Sequence, residues 1–303
     1  MGVSIWLRRF AWATLIANIG LVVTGGAVRL TGSGLGCPTW PRCNGDSFTP
    51  HGAVGPHQLI EFGNRTLTFV LVAIAVATFV AARQSGRRDL LRLSVVLGLA
   101  IPAQAVLGGI TVLTDLNPWV VSFHLILSLA IVSVAVLFLY RLDHPPVPPA
   151  RGVLPALAWT TYAVTWLVLY AGTVVTGSGP HAGDASAPRN GLDPLQLSQL
   201  HADLVFLLIG LTVGMWFALR AGGRDTRPVL TLAGIEALQA TVGFVQYFAG
   251  LPVAVVMLHM LGAALVVATA TWVLVSVLEP ADTDPTWTTA DLHPRGQANR
   301  RTR

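Results

Sequence analysis

The sequence has no lysine, only two cysteines and few charged residues of any kind. Charged side chains make up 11% of its 303 residues, against about 25% in an ordinary soluble domain. This shortage excludes a soluble globular protein, and the 53% of hydrophobic residues excludes an intrinsically disordered one. The arginines are spread over short segments rather than gathered in one basic stripe, which excludes a nucleic-acid partner. Two cysteines are too few for a disulfide scaffold, and their spacing is not that of a zinc finger.

Long apolar runs dominate the rest of the chain. Its mean hydropathy is +0.64, and the runs reach the roughly 20 residues that cross a bilayer core of about 30 Å. They predict eight transmembrane helices, at 10–30, 58–82, 90–113, 119–140, 153–176, 195–219, 228–250 and 252–278. The first run lacks a signal-peptidase site and is predicted to be an uncleaved anchor. The sequence thus predicts an all-α polytopic membrane protein surrounded by lipid.

The arginines also indicate an orientation in the membrane. They cluster at alternate ends of the predicted spans, near residues 8–9, 83–92, 141–151, 220–227 and 295–303. Because cytoplasmic loops carry the excess of arginine, these segments are expected inside, with both termini cytoplasmic and an even number of spans. Two long loops, 31–57 and 177–194, then lie on the outer face of the cell membrane. Such loops over a bundle can act as lids.

The two halves of the sequence share landmarks. Three features occur once in each half: a Thr-Gly-Ser-Gly motif (31–34 and 176–179), a glutamine (Gln104 and Gln239) and a histidine (His124 and His259). The last two pairs have the same offset of 135 residues. Since each unit has four spans, the repeats must point the same way, which predicts two parallel-repeat four-helix bundles. The predicted parts are an N-terminal repeat (1–143), a cytoplasmic linker (144–152), a C-terminal repeat (153–278) and a disordered cytoplasmic tail (279–303).

Three histidines lie within predicted spans, each about 10 Å from the outer end of its helix: His124, His201 and His259. His201 and His259 begin the second and fourth helices of the C-terminal repeat, so their imidazoles are expected to face each other and ligate one haem iron. The alternative for each is a hydrogen bond to a neighbour or to water. No Cys-x-x-Cys-His motif occurs, which excludes a covalent c-type haem and leaves a b-type haem. The pair has no accompanying carboxylate cluster, which disfavours a bare metal ion.

The N-terminal repeat breaks this symmetry. The position that matches His201 is Asn64, and asparagine is a poor iron ligand. A haem there is held by His124 alone, or by His124 with a residue such as His57. Glu61 has two interpretations: an i, i+4 ion pair with Arg65, or a carboxylate beside the porphyrin. The sequence predicts that the C-terminal repeat keeps its haem and that the N-terminal repeat receives one transiently.

Two other pairs of polar residues stand out. Cys37 and Cys43 flank Pro-Thr-Trp-Pro-Arg in an outer loop, where thiols this close are expected to form a disulfide, either as a structural staple or as a redox pair. Gln104 and Gln239 are expected to form hydrogen bonds between helices rather than to contact a cofactor.

Over residues 5–278 the sequence resembles the haem A synthases, membrane enzymes that convert haem O to haem A for cytochrome oxidase. The resemblance rests on the duplicated eight-span layout, on TGGAVRLTGSGLGCPTWPRC at 24–43, on EFGNR at 61–65 and on the three membrane histidines. The loop motif is its most specific part. The sequence departs from many relatives at Asn64, where they carry a histidine.

The resemblance implies a function and a set of site residues. The reaction is oxidation of one methyl group of haem O to a formyl group through an alcohol. His201 and His259 hold a haem b cofactor, His124 meets the iron of the substrate, Asn64 and Arg65 lie beside it, and Glu61 is the catalytic carboxylate. Cys37 and Cys43 are the extracytoplasmic cysteine pair. Expected partners are haem O, haem A, haem O synthase and cytochrome oxidase assembly factors.

Two other functions remain open at this point. A diheme b-type electron-transfer subunit that oxidises quinol would require four histidines, of which three are present. A transporter would show helices that are interrupted near the middle of the membrane and would bind no haem.

Overall fold

The computed structural model describes residues 4–52 and 54–279. Within them lie eight α-helices of 22 to 29 residues, each long and apolar enough to cross a membrane. They are α1 (Ile5–Leu30), α2 (Pro56–Gln84), α3 (Arg88–Leu113), α4 (Pro118–Asp143), α5 (Val153–Ser178), α6 (Pro194–Ala221), α7 (Arg227–Phe248) and α8 (Val253–Leu278). The predictions of an all-α multi-pass membrane protein and of eight spans are confirmed.

Most helices extend a few residues beyond the predicted spans, and polar side chains cap the first turns of three of them, α1, α4 and α6. Ser4 accepts a hydrogen bond from the backbone N–H of Leu7 and so starts α1 five residues early. The second Thr-Gly-Ser-Gly copy begins within α5, which runs to Ser178, two residues beyond the predicted end of this span. The reason is Asn190, whose backbone N–H and side chain bond the carbonyls of Gly177 and Val174 in the last turn.

The helices form two groups of four. In the first, α1 contacts α2 and α4, and α3 contacts α2 and α4; in the second, α5 contacts α6 and α8, and α7 contacts α6 and α8. The groups meet where α8 touches α1 and α4 and where α4 touches α5. We call them the front and back bundles. This arrangement accommodates the predicted repeats, although their relation by a parallel duplication remains a prediction.

We call the end of the molecule that carries loops 31–55 and 179–193 the disulfide end, and the opposite one the terminal end. At the terminal end, Arg8 forms an ion pair with Asp143 at 2.5 Å, and Arg224 donates to the carbonyls of Ser276 and Glu279. Glu279 was expected to open a disordered tail, but it is held there. Residues 280–303 of the predicted tail lie outside the described residues.

Hydrogen bonds join the front and back bundles at two depths, near the disulfide end and deeper in the membrane region. Near the disulfide end, the Arg29 guanidinium donates to the carbonyls of Thr176 (3.0 Å) and His181 (2.8 Å), across the boundary between bundles. Deeper in the membrane region, the Ser133 hydroxyl accepts from Tyr162 at 3.2 Å and from Thr271 at 3.0 Å. One bond set joins α1 to the α5 region and the other joins α4, α5 and α8, so the two bundles are held as one body.

The buried apolar core is concentrated toward the terminal end. In the back bundle, α6 buries no residue before Leu208, α7 none after Glu236 and α8 none before Ala264, all within the described residues. In the front bundle, Glu61 is the one residue of α2 buried before Leu71. The helices that carry the histidines therefore bury more of their residues toward the terminal end than at the level of the three histidines.

Candidate functional site

The back bundle brings His201 of α6 and His259 of α8 together. Their ring centroids lie 6.4 Å apart, and the ring planes are inclined by 71°. The Nδ1 atom of His201 lies 3.1 Å from the carbonyl oxygen of Val168 on α5, so this nitrogen carries the proton and donates it. A histidine whose Nδ1–H is fixed by a carbonyl presents Nε2 as a free ligand, which is the usual arrangement at metal sites.

Each of the three membrane histidines lies against a glycine of the neighbouring helix. A Cβ atom built on Gly172 would lie 3.1 Å from Cε1 of His201, one on Gly243 would lie 3.4 Å from Cε1 of His259, and one on Gly108 would lie 3.3 Å from Cε1 of His124. An added Cβ would crowd the ring at Gly172 and Gly108, and it would just touch the ring at Gly243. The glycines explain how helices this close accommodate an imidazole between them.

The back-bundle pair fits a haem by two observations. Two metal–nitrogen bonds of about 2 Å, with the half-widths of two imidazole rings, add to roughly 6 Å, which the 6.4 Å centroid separation matches. The Nδ1 atom of His259 is buried and has no hydrogen-bond partner within residues 4–52 and 54–279. In the same part of the chain, no three His, Cys, Asp or Glu side chains converge as for a bare metal ion.

Gln104 and Gln239 form the predicted bonds between helices. The Gln104 side chain donates to the carbonyl of His124 at 3.3 Å, and that of Gln239 donates to the carbonyl of His259 at 2.7 Å. The same contact thus occurs in both bundles, which confirms the interpretation as helix-to-helix hydrogen bonds. It ties α3 to α4 and α7 to α8 next to a histidine.

The front bundle holds one membrane histidine. The Nδ1 atom of His124 is buried without a partner among the described residues. Asn64, the predicted counterpart of His201, accepts a hydrogen bond from the hydroxyl of Thr24 on α1 at 2.8 Å. His57, which the sequence offered as a second ligand, is exposed and bonds Ser33 through Nδ1 at 3.0 Å. The structure therefore ties His57 to the loop that follows α1.

Glu61 and Arg65 form the ion pair that their spacing allowed. The Arg65 guanidinium donates to Oε1 of Glu61 through Nε at 3.1 Å and Nη2 at 2.5 Å. The other oxygen, Oε2, accepts from the backbone N–H of Cys37 at 2.6 Å, while Arg65 also donates to the Cys37 carbonyl at 3.1 Å. The pair thus clamps the outer loop onto α2. No sequence pattern indicated this clamp, because its partners lie 24 to 28 residues apart.

The clamped loop is closed by the expected disulfide between Cys37 and Cys43, both fully buried. Its Trp40 ring lies directly on Gly109 of α3, where an added Cβ would overlap the indole. The preceding residue, Gly108, faces the His124 ring. The loop therefore places an aromatic ring beside the helix that supports the front-bundle histidine, a contact that sequence reasoning missed.

A glycine substitution tests whether this loop is seated as described. A Cβ on Gly36 would collide with the backbone carbonyl of His57, at the start of α2, and a backbone group cannot swing aside. We expect Gly36→Ala to destabilise the protein by about 1–3 kcal/mol, measured as a lower midpoint of thermal unfolding in detergent. Gly55→Ala is the matched control, since Gly55 has open space around it. Equal midpoints for both variants would contradict this seating.

With this geometry established, comparison with known proteins places the chain in a family. The model of a family described as cytochrome oxidase assembly protein (COX15-CtaA) matches residues 8–190. The chain belongs to the cytochrome oxidase assembly protein family. The matched segment includes the disulfide loop, Glu61 to Arg65 and His124, and it ends before His201 and His259.

Individual proteins similar to this chain extend the comparison. A Heme A synthase of Lysinibacillus sphaericus is 33% identical over 180 residues, 55% of this chain and 58% of that protein. A Heme A synthase of Listeria welshimeri is 28% identical over 281 residues, 84% of this chain and 90% of its own length. A Protoheme IX farnesyltransferase of Halobacterium salinarum is 30% identical over 141 residues, 46% of this chain and 30% of that protein. The chain spans a little over half the length of relatives such as the Lysinibacillus protein.

Proposed function

We propose that this protein is a haem A synthase, which oxidises a methyl group of haem O to a formyl group. The observation that carries the proposal is the inequality of the two bundles at one level. The back bundle brings two imidazoles within 6.4 Å, whereas the front bundle has one imidazole and, in place of the second, Asn64. One permanent and one exchangeable porphyrin site is the arrangement that a haem-modifying enzyme needs. The relatives named Heme A synthase support the same function.

His201 and His259 are the proposed ligands of a resident haem b. When bound, this group supplies one-electron redox chemistry between the two bundles. The chain's part is to hold and orient it: the Val168 carbonyl fixes the tautomer of His201, and Gln239 anchors the backbone of His259. Gly172 and Gly243 have no side chain, so the rings of His201 and His259 can lie directly against their helices.

His124 is the proposed ligand for the iron of haem O in the front bundle, with Asn64 and Arg65 near the substrate. Oxidation of a methyl group withdraws electrons from its carbon, so positive charge develops there, and a fixed carboxylate stabilises it. Glu61 is the buried acid of this region of α2. Both of its oxygens already accept hydrogen bonds, so we propose that it acts as a fixed charge rather than as a carrier of protons.

The proposed orientation places the disulfide end on the outer face of the cell membrane and both termini in the cytoplasm. The terminal end carries most arginines of the described residues, including Arg8, Arg87, Arg141 and Arg224, while the disulfide end has Arg29, Arg42, Arg65 and Arg189. This asymmetry follows the positive-inside rule. The haem sites then lie toward the outer leaflet.

The proposed substrate also indicates partners. Haem O carries a farnesyl group, so a farnesyltransferase acting on haem must supply it, and a relative of that name shares sequence with this chain. Haem A must then pass to the assembly of cytochrome oxidase, in keeping with the family description. We propose haem O synthase and cytochrome oxidase assembly factors as the partners on either side of the reaction.

Conversion of haem O by the purified protein tests the proposal. We expect protein in detergent, given haem O, oxygen and a reductant, to yield haem A and the alcohol, separated by chromatography of extracted pigments. Protein that lacks both back-bundle imidazoles (His201→Ala, His259→Ala) is the control. If haem O is recovered unchanged while the protein's own haem b oxidises quinol, the proposal is wrong and a diheme electron-transfer subunit is favoured.

A further inference from the structure

Four contacts between neighbouring helices occur at the level of the membrane histidines, and one of them differs in kind. Three pair a glycine with an imidazole: Gly172 with His201, Gly243 with His259, and Gly108 with His124. The fourth joins α1 to α2 and pairs Thr24 with Asn64. In this contact, threonine stands in the place of the glycine and asparagine stands in the place of the histidine.

The positions of the odd contact match those of the Gly172–His201 contact. Helices α1 and α5 are both 26 residues long, and Thr24 and Gly172 each lie six residues before the last residue of their helix. Asn64 lies eight residues after the start of α2, and His201 lies seven after the start of α6. Counted from the ends of the helices, each half therefore joins its first and second helices at a similar position, once through glycine and imidazole and once through threonine and amide.

Thr24 and Asn64 both oppose a second imidazole in the front bundle, one by its bulk and the other by its chemistry. A single Cβ at Gly172 would already lie 3.1 Å from the His201 ring. By the same reasoning, we expect the larger side chain of Thr24 to crowd an imidazole lying in the same way at position 64. Thr24 instead donates to Oδ1 of Asn64 at 2.8 Å, which turns the acceptor atom of the amide toward α1. Thr24 thus disfavours a second imidazole by its bulk, and Asn64 is itself a poor iron ligand.

We infer that the Thr24–Asn64 pair restricts the front bundle to one protein ligand for a porphyrin iron and leaves the opposite axial position open to an exchangeable small ligand. The inference rests on the proposed function, since it requires that the front bundle binds haem. Thr24 is a positioning residue, because it acts through Asn64. A porphyrin held by His124 alone also has one bond fewer to break when the product leaves.

Exchange of the pair is the direct test. Ferric haem O, without reductant, is added to wild-type protein that already holds its haem b, and to the variants Thr24→Gly, Asn64→His and the double variant. Difference absorption and electron paramagnetic resonance spectra report the spin state of the added haem. We expect high-spin iron in wild type and in both single variants, and a shift to low-spin iron in the double variant, where glycine admits the new imidazole.

A second measurement uses the wild-type chain and does not depend on the folding of a variant. We expect free imidazole to convert the added haem from high to low spin while the signal of haem b stays unchanged. If the added haem is low-spin before imidazole is present, or if imidazole leaves it high-spin, the inference is overturned and the proposed function stands. If wild-type protein binds no added haem O, the proposed function fails as well.

Discussion

Replacement of His259 by alanine is expected to yield protein that folds in the membrane but purifies without haem b. A lost iron ligand should weaken retention by more than the about 10- to 100-fold that a lost supporting residue costs, since the bond itself is removed. The same result is expected for His201→Ala, because the two rings act on one iron. Haem content per chain, from the absorption of extracted haem and the low-spin spectrum, provides the measurement.

His51→Ala is the matched control for both variants. His51 is an exposed histidine of loop 31–55 at the disulfide end. Its ring bonds at most the carbonyl of Thr49, at 3.4 Å. It tests for a general effect of removing an imidazole from the disulfide end. A normal low-spin haem b in both His201→Ala and His259→Ala would refute the ligand assignment and, with it, the distinction between the bundles.

Replacement of Glu61 by alanine is expected to leave haem b bound and to slow haem A formation about 100-fold or more, the usual effect of removing a preorganised electrostatic group. The alcohol is expected to accumulate if the second oxidation depends more on the charge. Arg65 loses its carboxylate in this variant, and its side chain is only 23% exposed, so some loss of stability accompanies the loss of rate. Chromatography of the pigments and the haem b spectrum are the readouts.

The clamp on the outer loop offers a competing explanation for such a loss, and Glu61→Gln separates the two. Glutamine keeps the shape of the side chain and an oxygen that can accept from Cys37, but it removes the charge. The rate at which a reductant opens the Cys37–Cys43 disulfide, followed by alkylation, reports how well the loop is held. Slow turnover with an unchanged reduction rate supports a catalytic charge. Faster reduction of the disulfide together with slower turnover assigns Glu61 a purely positioning role. Full activity of the variant contradicts both the catalytic and the positioning role.

The number of helices and the common level of the histidines were accessible from sequence because both depend on local spacing. The length of an apolar run sets a span, and the six or seven residues between a helix start and His124, His201 or His259 set its depth. The face-to-face approach of His201 and His259 followed from placing them on the second and fourth helices of one bundle. Such inferences need only helix geometry and the order of the spans.

The hydrogen bonds that complete the site were not accessible in this way. The bond from the Cys37 N–H to Glu61 and the bond from Thr24 to Asn64 join residues 24 and 40 positions apart. Their partners are ordinary polar residues whose pairing is decided by how loop 31–55 folds back and how α1 packs on α2. The Glu61–Arg65 ion pair was foreseen as one of two alternatives, yet its hold on the loop was not.

The ties between the bundles have a consequence for how electrons would travel. Arg29 bonds the carbonyls of Thr176 and His181, and Ser133 links Tyr162 to Thr271, so the proposed haem ligands of the two bundles belong to a single frame. Tunnelling between the two proposed haems would then occur over a constant gap, with no swinging domain as carrier. Intramolecular electron transfer should accordingly proceed at the same rate in glycerol as in dilute buffer.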